Sequence, residues 1–152
     1  MEQTEVKGFT LCVIPTDMIP LTWPLVEPFM QKIVEQAPDE LTLEKIRERL
    51  LVDEETLLTL QNKETLELTS ALTCHVQEFD TGKKVLNITL LAGGNCQDYW
   101  KEELLDQFDA IARRFGCSEI RGLGARRGWL RYKHNDLYKE GKVTVVRTIN
   151  KI

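Results

Sequence analysis

A single α/β domain, with a mixed, mostly antiparallel sheet flanked by helices, is predicted by three features of the sequence. Period-2 alternation runs through Leu72-Cys74-Val76 and again through Leu86-Ile88-Leu90, with Asp80-Thr81-Gly82-Lys83 between them as a hairpin turn. An amphipathic stripe of Trp100, Leu104, Phe108, Ile111 and Phe115 marks a long helix over about 98–115. A strand over 118–123 follows that helix directly, the order of a β-α-β crossover and hence of one parallel pairing.

The remaining elements are placed around these three. Gly8 to Ile14 reads as a short strand stopped by Pro15. Thr22 is a candidate N-cap for a first helix, with Pro24 in its first turn and Leu25, Phe29 and Ile33, with Val26 and Val34 as further candidates, at helical spacing; Pro38 ends it. Thr42 opens a second helix, apolar at Leu43, Ile46, Leu50 and Leu51 and charged at Glu44, Arg47 and Glu48. From Thr56 the period shortens: Leu58 and Leu60 flank Thr59, Asn62-Lys63-Glu64 turns, and Leu66 and Leu68 begin the next strand. With the hairpin this makes a three-stranded antiparallel meander. Gly116 supplies a C-cap for the long helix, a short helix is expected over 125–132, and a β-branched strand over 143–149.

Composition bounds the function classes. With 152 residues, 42% of them hydrophobic and 29% charged, the chain suits one packed core over 1–152 and is not of disordered type. No apolar run reaches the roughly 20 residues of a membrane span, so no membrane partner is expected. Met1 to Lys7 is acidic and polar rather than a secretory signal. Cys12, Cys74, Cys96 and Cys117 are widely spaced, so no metal site is expected and buried reduced thiols in a cytoplasm are. A net charge of −4 argues against a dedicated nucleic-acid binder. The charge is uneven: Asp39 to Glu67 is acidic, whereas Arg121, Arg126, Arg127, Arg131, Lys133, Lys139, Lys142, Arg147 and Lys151 crowd the last third.

The order strand, two helices, three antiparallel strands, long helix, strand, short helix, strand resembles the GCN5-related N-acetyltransferase (GNAT) fold along nearly the whole chain. Four words narrow the resemblance to GNAT-like proteins of tailed bacteriophages, often encoded among virion genes. They are Trp23-Pro24, Leu90-Leu91-Ala92-Gly93-Gly94, Ala112-Arg113-Arg114-Phe115-Gly116-Cys117 and Gly124-Ala125-Arg126-Arg127-Gly128-Trp129. Catalytic GNAT enzymes carry a Gln/Arg-x-x-Gly-x-Gly/Ala loop before the long helix, whose backbone N–H groups hold the coenzyme pyrophosphate. Here Leu91, Gly93, Gly94 and Asn95 occupy that place, without the leading basic residue or the glycine spacing, and Asp98 brings a carboxylate to the start of the helix. A carboxylate there caps the N–H groups an anion needs and repels it. No cofactor is therefore expected, and Gly93-Gly94 reads alternatively as a β-bulge or strand exit.

Two functional readings stand at this level. One is a non-catalytic binding or virion-associated module with a degenerate acetyl-CoA loop, located in the host cytoplasm or incorporated in the virion. Its partner is a protein, another virion protein among the candidates, or a second copy of itself, met through Arg126, Arg127, Trp129 and Arg131. The guanidinium forks and indole of that segment have the composition of an interface anchor. The alternative is an acetyl-CoA-dependent N-acetyltransferase. In it the resemblance implies Tyr132 or Tyr138 as general acid, with His75 or Glu78 on the central strand as candidate base, although His75 has no partner assignable from sequence.

Overall fold

The computed structural model describes residues 8–93 and 102–122. Strand β1, Phe9–Ile14, is followed after Pro15 by a 3-10 turn over Thr16–Met18 that runs into helix α1, Ile19–Gln36. The helix thus begins three residues before Thr22, with Met18 at the N-cap and no side-chain cap bond. Pro20, within the first two helical positions, is the effective start signal, because its missing N–H costs nothing there. Pro24 and Pro28 consequently lie inside the helix rather than in its first turn. Both are exposed and four apart, and the carbonyls they leave unpaired, those of the exposed Pro20 and of Pro24, lie on the same wet face. The buried stripe is Ile19, Trp23, Val26 and Met30. Leu25, expected on the apolar side, is 61% exposed: the buried stripe runs through its neighbour Val26, about 100° around the helix.

Helix α2, Leu43–Leu51, starts as its sequence says: the Thr42 hydroxyl accepts from the Lys45 amide at 3.2 Å, an N-cap bond. It buries Ile46 and Leu50, while Leu51 turns outward. The meander follows as β2, Thr56–Asn62, β3, Leu68–Glu78, and β4, Lys84–Ala92. Leu66 does not belong to β3; it sits in the preceding turn at φ +65°, where the Asn62 side chain accepts from the amides of Glu64 and Thr65. Helix α3, Glu102–Arg114, and strand β5, Glu119–Gly122, complete the described chain. Gly116 at φ +77° closes α3: its amide donates to the Arg113 carbonyl and the Cys117 amide to that of Ala112, the paired bonds of a Schellman cap. The expected short helix over 125–132, the last strand over 143–149 and the start of α3 lie outside the described residues, as do Trp100 and the side chain of Leu104.

The sheet order is β1-β2-β3-β4-β5, antiparallel at the first three pairings and parallel between β4 and β5. Helix α3 lies in the connection between the two strands of that parallel pair. Each face of the sheet has its own core. Leu11, Leu58, Leu72, Cys74, Leu86 and Ile88 meet Phe108, Ile111 and Ala112 of α3. Leu57 and Ala71 meet Ile19, Trp23, Val26 and Met30 of α1 with Ile46 and Leu50 of α2. Gln107 ties α3 to the sheet's edge: its Nε2 donates to the Phe9 carbonyl and its Oε1 accepts from the Leu11 amide, both at 2.9 Å. These bonds satisfy β1 backbone groups that β2 does not reach.

One irregularity decides where the polar side chains of the sheet point. Thr73 pairs with Leu90 but Cys74 with Ile88, so Thr89 is an extra residue in β4, a bulge. The alternation Leu86-Ile88-Leu90 is thereby broken. Leu86 and Ile88 face α3, whereas Leu90 packs with the α1–α2 core.

Candidate functional site

The bulge gathers a polar cluster on the α1–α2 face. Thr73, His75 and Gln77 alternate along β3, and Asn87 and Thr89 stand beside them on β4. From the segment entering β2, Glu55 reaches across to both strands. Its Oε1 accepts from the Thr89 hydroxyl at 2.5 Å, and its Oε2 lies 2.9 Å from His75 Nδ1. The His75 contact is close, but the oxygen lies off the line of a ring N–H bond, so it is not a hydrogen bond by geometry. The Thr73 and Thr89 hydroxyls are 2.7 Å apart. Since Thr89 gives its proton to Glu55, Thr73 is the donor between them.

Asn87, 1% exposed, donates from Nδ2 to Gln77 Oε1 at 2.8 Å and stands 3.4 Å from His75 Nε2, while its own Oδ1 has no hydrogen-bond partner. Leaving such an oxygen unpaired costs about 1–3 kcal/mol. His75 therefore has the partner that its sequence context could not assign. The signal lies twenty residues upstream in Glu55, on a different element, and only the register of β2, β3 and β4 brings the two together.

A cleft of about 300 Å³ opens between α2 and this part of the sheet. Leu41, Ile46 and Leu90 form its apolar wall; Thr73, Thr89 and Glu55 give it hydroxyls and a carboxylate; Arg49 of α2 supplies a guanidinium. That volume is at the small end for small-molecule sites, and an apolar wall with a few convergent polar groups is their usual makeup.

The other expected site residues are dispersed. Glu78 is exposed at the hairpin end of β3, opposite Lys84, and on the reverse face from His75 by the alternation of the strand. Leu91 pairs with Leu72 near the end of β4 and packs against the α3 core. Gly93 follows Ala92 at the strand exit, so the bulge is at Thr89 and the exit at Gly93. Gly94, Asn95, Asp98, Arg126, Arg127, Trp129, Arg131, Tyr132 and Tyr138 lie outside the described residues.

Gly93 has a reason of its own to be glycine. It holds φ +116°, and a Cβ there would stand 2.4 Å from the Thr69 carbonyl oxygen and 2.7 Å from the Ser70 Cα. The backbone of β3 therefore closes one side of this residue. Of the positions a coenzyme loop would use, Leu91 and Gly93 are described, and both are accounted for by packing within the sheet and its cores.

Of the four cysteines, Cys96 lies outside the described residues, and Cys74 and Cys117 are buried. Cys74, in the α3 core, is pushed up to about 12, first by burial and then by the nearby Glu55 and Cys117. Burial also raises Cys117, opposed by Lys84. Two outcomes are expected for Cys74. In the native chain at pH 8 it resists iodoacetamide and reacts only in denaturant, as read by mass spectrometry. Because the unfolded thiol ionises near 9 while the folded one keeps its proton to about 12, its contribution to stability is full below pH 9 and is lost as pH rises through that window. At the opposite end of β4, Glu119 of β5 is paired with Lys83 and, at 3.0 Å, with Arg121, and these hydrogen bonds hold its carboxyl below the ordinary range. Among the described residues no group of three His, Cys, Asp or Glu side chains is placed to hold a metal ion, and no helix is long and apolar enough to cross a membrane.

A β-α-α-β-β-β-α-β order, with a bulged β4 and a parallel β4–β5 pair joined through α3, defines the chain as a protein of the GNAT acetyltransferase fold. Solved structures of acetyltransferases superpose on it. An aminoglycoside acetyltransferase from an uncultured soil metagenomic sample, in complex with trehalose, aligns at a TM-score of 0.63 and 13% identity, over 93% of this chain and 97% of the other. A ribosomal-protein-alanine N-acetyltransferase from Brucella melitensis biovar Abortus aligns at 0.58 and 13%, over 94% and 99%. A putative acetyl transferase from Pyrococcus furiosus aligns at 0.58 and 12%, over 93% and 100%. At such identities the likeness is one of fold. No protein-family model matches the sequence, and neither does any curated protein.

Proposed function

We propose that this chain uses the acetyltransferase fold as a binding module and not for acyl transfer. The observation that carries the reading is Gly93. The loop after β4 is where the fold would need freely approachable backbone for a pyrophosphate, and the glycine at its start has a packing reason of its own, the close approach of the β3 backbone to its Cβ position. The sequence adds Asp98, a carboxylate where an anion would need bare N–H groups. The words that resemble phage GNAT-like proteins carry a narrower version, in which the module is virion-associated or acts in the host cytoplasm. Its partner in that version is a protein or a second copy, met through Arg126, Arg127, Trp129 and Arg131. The solved structures bear on neither the phage origin nor the partner.

One observation favours a second reading, an acetyl-CoA-dependent N-acetyltransferase. Glu55, held by Thr89 at the β4 bulge and by His75, lines a cleft of small-molecule size. A carboxylate so placed could take a proton from an acceptor amine.

Titration of the full chain with acetyl-CoA, read by thermal shift or calorimetry, separates the two. The module predicts no stabilisation at millimolar coenzyme. A ligand that binds stabilises by about 2.7 kcal/mol at 100 times its dissociation constant, so a shift of that order overturns the module and selects the enzyme.

A further inference from the structure

We propose that the outer face of α1 is an interface on which two copies of this chain pack antiparallel, about a two-fold axis near Leu25. On that face Met18, Leu21 and Leu25 are 42%, 71% and 61% exposed, and Pro28, also exposed, follows them. Their spacing of three, four and three residues is the period of a narrow helix–helix seam. It lies apart from the buried stripe of Ile19, Trp23, Val26 and Met30, which the fold of one chain already uses. A helix with a single buried stripe carries charged and polar residues on its other side. In α1 the exposed positions ahead of Glu27 are instead Pro20, Leu21, Pro24 and Leu25, all apolar.

The charges at the two ends of the seam select the occupant. Asp17 stands ahead of it and Lys32 beyond it, both exposed and, among the described residues, neither in an ion pair. The Thr16 hydroxyl donates to Asp53 at 3.4 Å, which brings a second carboxylate to the Asp17 end. Asp17 and Lys32 are nearly equidistant from Leu25 along the chain. A second copy laid antiparallel across Leu25 therefore sets each Lys32 at the other's Asp17, and the two-fold axis makes that contact twice. Glu35, the next charge at seam spacing, then falls at the start of the other copy's α1, where the helix N-terminus favours a carboxylate. A parallel pair would set Lys32 against Lys32 and Asp17 against Asp17. A bilayer is the poorer occupant, because the charges around the seam other than Lys32 are the acids Asp17, Glu27 and Glu35, which anionic headgroups repel. The seam is one helix wide, so it belongs to the small, weak class of specific interfaces, and the dimer forms at roughly 0.1 mM chain and not at low micromolar concentration. It uses neither the cleft beside β4 nor the loop after it, and so stands under either functional reading.

The test is sedimentation equilibrium of the full chain from about 5 to 500 μM, a range over which a weak dimer must appear by mass action. The expected result is a monomer–dimer equilibrium. Leu25→Glu, which places two carboxylates at the axis, should keep the circular dichroism spectrum and leave a monomer throughout. Asp17→Lys and Lys32→Asp should each weaken the dimer by about tenfold, since each turns two attractive contacts into repulsive ones, and the double variant should restore it. That rescue is particular to an antiparallel pair of this chain. A chain that stays monomeric at every concentration, its α1 face serving another partner or none, overturns the proposal. So does a dimer that Leu25→Glu leaves intact, or a double variant no tighter than the single ones.

Discussion

Phe108→Ala is expected to cost about 3–5 kcal/mol, most of the stability of an ordinary domain at the lower end of the usual range. Phe108 is 1% exposed and belongs to the buried cluster that α3 forms with residues of β1, β2, β3 and β4. Truncation leaves a cavity within this cluster of packed strand and helix residues, so the loss includes a cavity penalty beyond the transfer energy of the ring. A second loss follows in the adjacent residue. Gln107 makes both of its bonds to the edge of β1, and its reach depends on α3 staying seated. Urea unfolding followed by circular dichroism reads the effect as a fall in the midpoint. Leu21→Ala, at a position 71% exposed, is the control and should change stability by no more than about 0.5 kcal/mol. A Phe108 variant no weaker than that control would mean that α3 does not hold this face of the sheet.

Much of this architecture was legible because the signals are local. The Thr42 cap, the Asp80–Lys83 hairpin, the β-α-β order and the Gly116 cap each depend on a few consecutive residues, and each forms as expected. The errors arise where a local signal competes with another or where pairing decides. In α1 both Thr22 and Pro20 could begin a helix, and the 3-10 turn before Ile19 lets the proline win; Leu25 is exposed because the buried stripe runs through Trp23, Val26 and Met30. In β4 the alternation of Leu86, Ile88 and Leu90 carries no mark of the bulge at Thr89, because a bulge is a property of two strands and not of one.

The candidate site shows the same division. His75 was visible as a polar residue on a strand, yet what gives it a role is Glu55, distant in sequence and on another element. Arg49 was one charge among several on an amphipathic helix; the cleft that singles it out exists only once α2 lies on the sheet. Glu78, also visible, stands three positions further along β3, on the opposite face and at the hairpin end of the strand.

Gly93→Ala is expected to destabilise the chain by about 2–6 kcal/mol, combining backbone strain and overpacking of about 1–3 kcal/mol each. The strain comes from φ +116°, which L side chains rarely adopt, and the overpacking from a Cβ placed 2.4 Å from the Thr69 oxygen. Both atoms belong to the backbone of the central strand, where Ser70 pairs with Leu60 of β2 and Thr69 is the extra residue at a shift of register. Gly82→Ala separates the two contributions. At φ +89° with nothing within 4 Å of the added methyl, it carries strain alone and should cost about 1–3 kcal/mol, less than the Gly93 change. The comparison matters for function because a glycine after β4 has two physical explanations in this fold, close approach of β3 or close approach of a phosphate. If alanine at position 93 is as well tolerated as at position 82, the strand does not require the glycine. Backbone kept bare for an anionic ligand then becomes the better account of it, and the case for a binding module without coenzyme loses its main support.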